Sequence, residues 1–280
     1  GSLFAEDVQG VLVSDLEPCS PCELAIPGTN RIPKGNWTRT KDIPLRGMVN
    51  RGNMCYVNSL AQILVRTPAL YEWCKEHAEH SCPHGAEQSC VLCALNLTCD
   101  EVRSGRSVKD YTALKRCREI VFADTPFATN RQQCVAEFFE SLCGDIREKE
   151  LFAERCAPWA TNVEITYPKV THVDRIFGFV NECRRRCVAC KGDAVSSFRS
   201  ERVLRLTPVE QEGGPMTISE LYLHSCGPDA VEKLCAGCKV ERAIHDSQNR
   251  MFTIPNVLVI QISRDAGLRV PVSVDVSVEL

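Results

Sequence analysis

The chain has 280 residues, 44% of them hydrophobic and 25% charged, with a formal net charge of −3. These proportions are ordinary for a folded globular protein, and the lack of any apolar run of membrane-spanning length argues against a bilayer partner. No block of like charge is long enough to follow a nucleic-acid backbone, and the densest basic run, Arg184-Arg185-Arg186, lies beside cysteines.

Residues 1–45 are rich in Pro, Gly and Thr without steady periodicity, which predicts an extended lead-in rather than a domain. Cys19-Ser-Pro-Cys22 within it has no partner pair and reads as a loop. From Arg46 to Cys55 the chain carries two glycines and two asparagines, then enters an apolar stripe of Val57, Leu60, Ala61 and Leu64. That pattern predicts a helix starting at Cys55. A cysteine in the first turn of a helix faces free backbone N–H groups and the positive end of the macrodipole, a setting suited to a nucleophilic thiolate. Asn50, five residues upstream across the glycine-containing loop, is placed to turn its amide back toward an oxyanion.

Next comes a cluster of His77, His80, Cys82, His84, Cys90 and Cys93, which offers three thiolates and a choice of imidazoles for a Cys₃His zinc site. His80 is the expected fourth ligand, with His77 and His84 as alternatives. Val135, Phe138, Phe139 and Leu142 then follow helical spacing in a segment that begins near Arg131. Further on, Cys187-Val-Ala-Cys190 and Cys235-Ala-Gly-Cys238 supply four thiolates at the spacing of a closed tetrahedral site for structural Zn²⁺. Strand-like runs follow at Val203–Leu206 and Val257–Ile262, and valines alternate from Val270 to Val278. Helices followed by strands predict an α+β fold. With 18 cysteines spaced for ligands rather than disulfides, a reducing compartment is expected, hence an intracellular protein of nucleus or cytoplasm.

The segment Asn50-Arg-Gly-Asn-Met-Cys-Tyr-Val-Asn-Ser59 resembles the cysteine box of ubiquitin-specific proteases, N-x-G-N-T-C-Y-M-N-S, and matches it at seven of ten positions. Met54 stands where the family usually has threonine. Gln132-Gln-Cys-Val-Ala-Glu-Phe138 is similar to the family's Q-Q-D-A-x-E-F segment, with Cys134 in place of the aspartate. The resemblance implies a papain-like cysteine peptidase over residues 46–280. Its helical thumb would span about 46–160, and β-rich zinc-binding fingers with a partial palm about 161–280. It implies Cys55 as nucleophile and Asn50 as oxyanion donor, with Gln132, Gln133 and Glu137 contacting ubiquitin. It places Cys187, Cys190, Cys235 and Cys238 at the tip of the fingers. Some members of the family have a similar His/Cys₃ site just after the cysteine box.

The implied activity is hydrolysis of the isopeptide bond after the C-terminal glycine of ubiquitin, with ubiquitin or a ubiquitin-like modifier and ubiquitinated proteins as partners. A thiol protease also needs a base, and none of the six histidines stands in the family's glycine-histidine-tyrosine context. The C-terminal part of the palm, with that box, is expected to be missing from this chain, which alone would then be inactive. Two rival readings stand beside this one: a ubiquitin-binding pseudo-protease, to which the lost acid at Cys134 is suited, and a zinc-ribbon interaction scaffold.

Overall fold

The computed structural model describes residues 43, 47–50, 52–79, 82, 89–104, 113–129, 131–155 (the last five by backbone alone), 171–209, 214–263 and 272–273. The predicted lead-in (Ile43 apart), the Cys19/Cys22 pair, His80, His84 and most of the valine alternation lie outside these residues. The chain divides into two units near residue 176.

The first unit is helical. It contains α1 (Cys55–Leu64), α2 (Pro68–Glu79), α3 (Val91–Arg103), α4 (Ala113–Val121), a 3-10 turn at Pro126–Ala128, α5 (Val135–Arg155) and α6 (His172–Phe177), where the division falls. Helix α1 starts at the predicted residue and buries Tyr56 together with the predicted stripe of Val57, Leu60, Ala61 and Leu64. Helix α5 buries Phe138, Phe139 and Leu142, but it begins at Val135 rather than near Arg131, and Val135 itself is exposed. The reason is local. The Cys134 carbonyl already accepts the first helical hydrogen bond, from the Phe138 N–H, while the Gln133 side chain donates to the Pro126 carbonyl at 3.0 Å and ties the residues before Val135, which are not helical, to the 3-10 turn.

Phe138 is the hub of this unit's core. Its ring meets Tyr56 edge-on at 5.2 Å, Phe127 at 5.2 Å and Phe122 at 5.8 Å, contacts that add to its burial energy. Ile43, Val65, Cys99 and Val102 form a smaller cluster beneath the chain entering α1.

The second unit is built on strands: β1 (Phe179–Cys187), β2 (Val195–Glu201), β3 (Leu204–Leu206), β4 (Met216–Thr217), β5 (Asp229–Lys233), β6 (Ala243–Met251), β7 (Ile260–Ile262) and β8 (Val272–Ser273), with α7 (Ile218–Ser225) after β4. An antiparallel sheet of order β2-β1-β6-β5 dominates it, while β3 pairs with β7 and β4 with β8, both in parallel. The predicted runs at 203–206 and 257–262 thus appear as β3 and β7. Phe179, Leu204, Leu206, Met216, Ile218, Leu221 and Tyr222 form its core. Within the sheet, the buried Glu182 carboxylate is satisfied by the Ser196 hydroxyl at 2.6 Å and by the Arg250 guanidinium. A reciprocal capping box, in which Thr217 Oγ1 accepts from the Glu220 N–H and Glu220 accepts from the Thr217 N–H, starts α7. Among the described residues no helix is long and apolar enough to cross a membrane.

The packing of α5 predicts an unequal response to truncation. Phe138→Ala should destabilise the protein by about 3–5 kcal/mol in urea denaturation, whereas Val135→Ala, at an exposed position, should stay within about 0.5 kcal/mol of wild type. Equal losses at the two positions would contradict this assignment of the buried face.

Candidate active site and metal clusters

Cys55 is the first residue of α1 and is exposed. The chain reaches it through Gly52 and Asn53, at φ values of 69° and 45°. Two consecutive left-handed residues reverse the backbone tightly, and glycine and asparagine are the types that tolerate that conformation best. The turn brings the Asn50 side chain back onto the helix start, where its Oδ1 accepts the Met54 N–H at 2.9 Å. Since a backbone N–H can only donate, the amide oxygen faces Met54 and the NH₂ group is turned the other way, with donors to offer. Met54, the departure from the family's threonine, is buried, and as the cap residue it makes no side-chain cap bond.

Both flanks of this turn are tied to other elements. Before Asn50, the Val49 carbonyl accepts from Lys115 Nζ of α4 at 2.7 Å and from Asn58 Nδ2 of α1 at 3.4 Å. After Cys55, the Tyr56 hydroxyl donates to the Phe127 carbonyl at 3.2 Å and accepts from Arg118 Nη1 at 3.2 Å. Arg118 is almost wholly buried, and it also donates to the Phe127 and Thr129 carbonyls and pairs with Glu119 at 3.1 Å.

Of the residues expected to contact ubiquitin, Gln132 is exposed in the irregular chain just ahead of α5, Gln133 is half-buried and bound to Pro126, and Glu137 is exposed in the first turn of α5. Cys134, half-buried, occupies the position before the helix rather than a position within it.

Among the described residues, two groups of side chains could hold a metal. In the first, Cys187, Cys190, Cys235 and Cys238 bring their sulfurs within 4.8 Å of one another, with Cys187···Cys238 at 3.9 Å and Cys190···Cys235 at 3.8 Å. Tetrahedral Zn–S bonds of about 2.3 Å imply sulfurs about 3.8 Å apart, so the donor set fits zinc. The two knuckles have the same backbone. Each first cysteine's carbonyl accepts the N–H of the lysine after the second cysteine, Lys191 at 3.0 Å and Lys239 at 2.9 Å, and both lysines have positive φ. The Cys238 and Gly237 N–H groups pull the Cys235 thiol down to about 6. For Cys238 a Val240 N–H acts to lower the thiol, but its hydrogen bond to Cys235 and burial leave it raised to about 11.

In the second group, His77, Cys82, Cys90 and Cys93 lie equally close, with His77 Nε2 and Cys90 Sγ 3.4 Å apart. His77 sits in the last turn of α2, and Cys90 and Cys93 at the start of α3. The expected ligand His80 is outside the described residues, and among those described the imidazole in this group is that of His77. Burial raises the Cys90 and Cys93 thiols, and charge on Cys90 raises Cys93 further. A divalent cation is what would reverse both effects. Lys149 Nζ of α5 holds the Ser89 carbonyl, next to Cys90, at 2.9 Å.

Of the other described histidines, His172 is paired with Glu150 and stacked on Trp73 at 5.0 Å and the His245 ring meets the Ala243 carbonyl at 2.9 Å, while His224 is exposed on α7.

Known proteins similar to this chain fall in one family. The chain is 25% identical over 230 residues to ubiquitin carboxyl-terminal hydrolase 36 of Drosophila virilis, a match that covers 78% of this chain and 18% of the relative. It is 25% identical over 251 residues to ubiquitin carboxyl-terminal hydrolase 14 of Schizosaccharomyces pombe, covering 79% of this chain and 30% of that protein. The chain therefore spans less than a third of the length of these relatives. Its fold is similar to the SAGA DUB module Ubp8/Sgf11/Sus1/Sgf73 bound to monoubiquitin, with a TM-score of 0.63 at 18% identity over 80% of this chain and 49% of that one. The same module bound to ubiquitin aldehyde gives a TM-score of 0.60 at 18% identity, covering 79% and 47%. The model of the ubiquitin carboxyl-terminal hydrolase family matches residues 46–268, and the chain belongs to that family.

Proposed function

We propose that this chain carries the nucleophilic half of a deubiquitinase, with Cys55 attacking the carbonyl of the isopeptide bond after the ubiquitin C-terminal glycine. The observation that carries the reading is an exposed cysteine at the first position of a helix, behind a turn that aims the Asn50 amide donors away from Met54. In the reaction Sγ adds to the carbonyl carbon and the resulting oxyanion takes a hydrogen bond from Asn50. Collapse of the tetrahedral adduct expels the lysine amine of the conjugated protein, and water then hydrolyses the thioester. A base receives the thiol proton and a proton returns to the leaving amine; with His77, His172 and His245 committed elsewhere, none of these three is assigned that role.

Gln132, Gln133 and Glu137 are read as contacts for the ubiquitin tail, the helical unit as the thumb, and the strand unit as fingers with part of the palm. Ubiquitinated proteins would be the substrates and a reducing intracellular compartment the setting. Zinc would be structural, joining two distant knuckles through Cys187, Cys190, Cys235 and Cys238 and tying the end of α2 to the start of α3 through His77, Cys82, Cys90 and Cys93. A pseudo-protease that binds ubiquitin without cleaving it is favoured by one observation, Cys134 standing where the family has an acid.

The test is intact mass spectrometry of the full-length protein after incubation with ubiquitin bearing a C-terminal thiol-reactive group. One adduct is expected, and Cys55→Ala should abolish it. Binding without an adduct would support the pseudo-protease instead, and neither binding nor adduct would refute both. For turnover, Asn50→Ala should lower kcat by about 10²–10³-fold.

Restoring the acid offers a second check. Cys134→Asp should tighten ubiquitin binding about two- to fivefold in calorimetry, the scale of one partly exposed charge pair, and an unchanged affinity would separate this position from recognition.

For the metal, elemental analysis should find two zinc ions per chain, falling to one in Cys235→Ser and to one in Cys90→Ser. Because every thiol ligand sheds its proton on binding, zinc affinity should weaken as pH falls, which a competing chromophoric chelator would report.

A further inference from the structure

Lys115 is a lysine in an unexpected place. It lies on α4, only 2% exposed, and its ammonium group reaches the backbone of a different segment to bind the Val49 carbonyl at 2.7 Å. A buried charge is costly unless its hydrogen bonds are made, so this contact is a firm one. Glu101 of α3 is a neighbour: burial raises its carboxyl, and the Ala113 N–H, Arg116 and the Lys115 charge act against that rise.

What Lys115 holds is more informative than how it is held. The Val49 carbonyl and the Asn50 N and Cα atoms lie in one rigid peptide plane. Fixing that oxygen fixes the plane from which the Asn50 side chain departs. At its other end the same side chain is fixed by the Met54 N–H on Oδ1. Asn50 is therefore held at backbone and at side chain, with the NH₂ group left over to donate. Asn58 assists at the longer distance of 3.4 Å, and no second cation is bound to Val49 O among the described residues.

We propose that Lys115 is a positioning residue for acyl transfer: its buried ammonium pins the Val49 carbonyl and so sets the peptide plane that carries the Asn50 oxyanion donor. The inference rests on the deubiquitinase reading, and it distinguishes two reactions of the same thiol. Hydrolysis passes through an oxyanion and needs Asn50 in place. Alkylation of Cys55 by iodoacetamide forms no oxyanion and does not.

The experiment measures both reactions in the full-length protein, with a ubiquitin C-terminal fluorogenic amide as the hydrolysis substrate. Lys115→Met keeps the apolar stem and removes the donor; it should lower kcat about 10- to 100-fold with KM and the iodoacetamide labelling rate of Cys55 unchanged. Lys115→Arg, which keeps a cationic donor, should recover most of kcat. In an Asn50→Ala background Lys115→Met should cause no further loss, since the two residues act through one donor. A folded Lys115→Met with wild-type kcat, or one that loses as much again in the Asn50→Ala background, overturns the proposal. Should Lys115→Met fail to melt cooperatively, the ratio of kcat between Lys115→Arg and Lys115→Gln decides on the same criteria. A wild-type protein that labels at Cys55 but never hydrolyses the substrate defeats the deubiquitinase reading itself, and the role of Lys115 falls with it.

Discussion

The first turn of α1 opens without a side-chain cap, so the exposed Cys55 thiol and the leading backbone donors share one accessible helix end. A helix end left open in this way is useful only if the residues beside it are fixed, because a donor that wanders by an ångström gives up much of its effect. Much of the helical unit can be understood from that requirement. Lys115 and Asn58 hold the chain before the turn, the Asn50–Met54 bond closes the turn itself, and Arg118 with Phe127 holds Tyr56 just after it. Lys115 and Arg118 are one helical turn apart on α4, so a single element supports both flanks.

The aromatic core gives these polar anchors a rigid backing. Phe138 packs against Tyr56 from α5 while Phe127 meets both rings, which couples the hydroxyl that Arg118 binds to the best-buried part of the unit. The buried Arg118 guanidinium is partly compensated there: Nη1 donates to two carbonyls and a hydroxyl and Nη2 pairs with Glu119, while Nε is buried without a partner.

What the sequence disclosed follows from where the information was stored. The starts and faces of α1 and the inner face of α5 were legible because apolar residues recur at helical spacing, and the knuckle cysteines because their spacing is dictated by the metal's bite. The four-stranded sheet was not visible as alternation, since β2 and β5 carry exposed polar residues on both faces and β6 buries the polar His245 and Ser247 while exposing Ile244; only the resemblance anticipated strands there. His77 comes to Cys82, Cys90 and Cys93 from the last turn of α2, whose end spacing alone does not determine, while His80 lies outside the described residues. The Thr217-x-x-Glu220 box was readable in principle and marks the start of α7. Lys115 and Arg118 left no trace in any motif, because a buried cation on an amphipathic helix looks in sequence like a solvated one, and only the fold brings Val49 and Tyr56 to them.

The twin knuckles have a consequence for how the protein lives without metal. Lys191 and Lys239 each sit in a backbone region that costs a side-chain-bearing residue about 1–2 kcal/mol, and each is kept there by one short turn around a pair of thiols. With the four sulfurs joined, that cost is spread over a closed unit; with them separate, two small springs push the same tip open. The occupancy of a site far along the chain from Cys55 would then set how readily this end of the sheet is cut by proteases, so that the lifetime of the protein in a cell would follow the supply of metal.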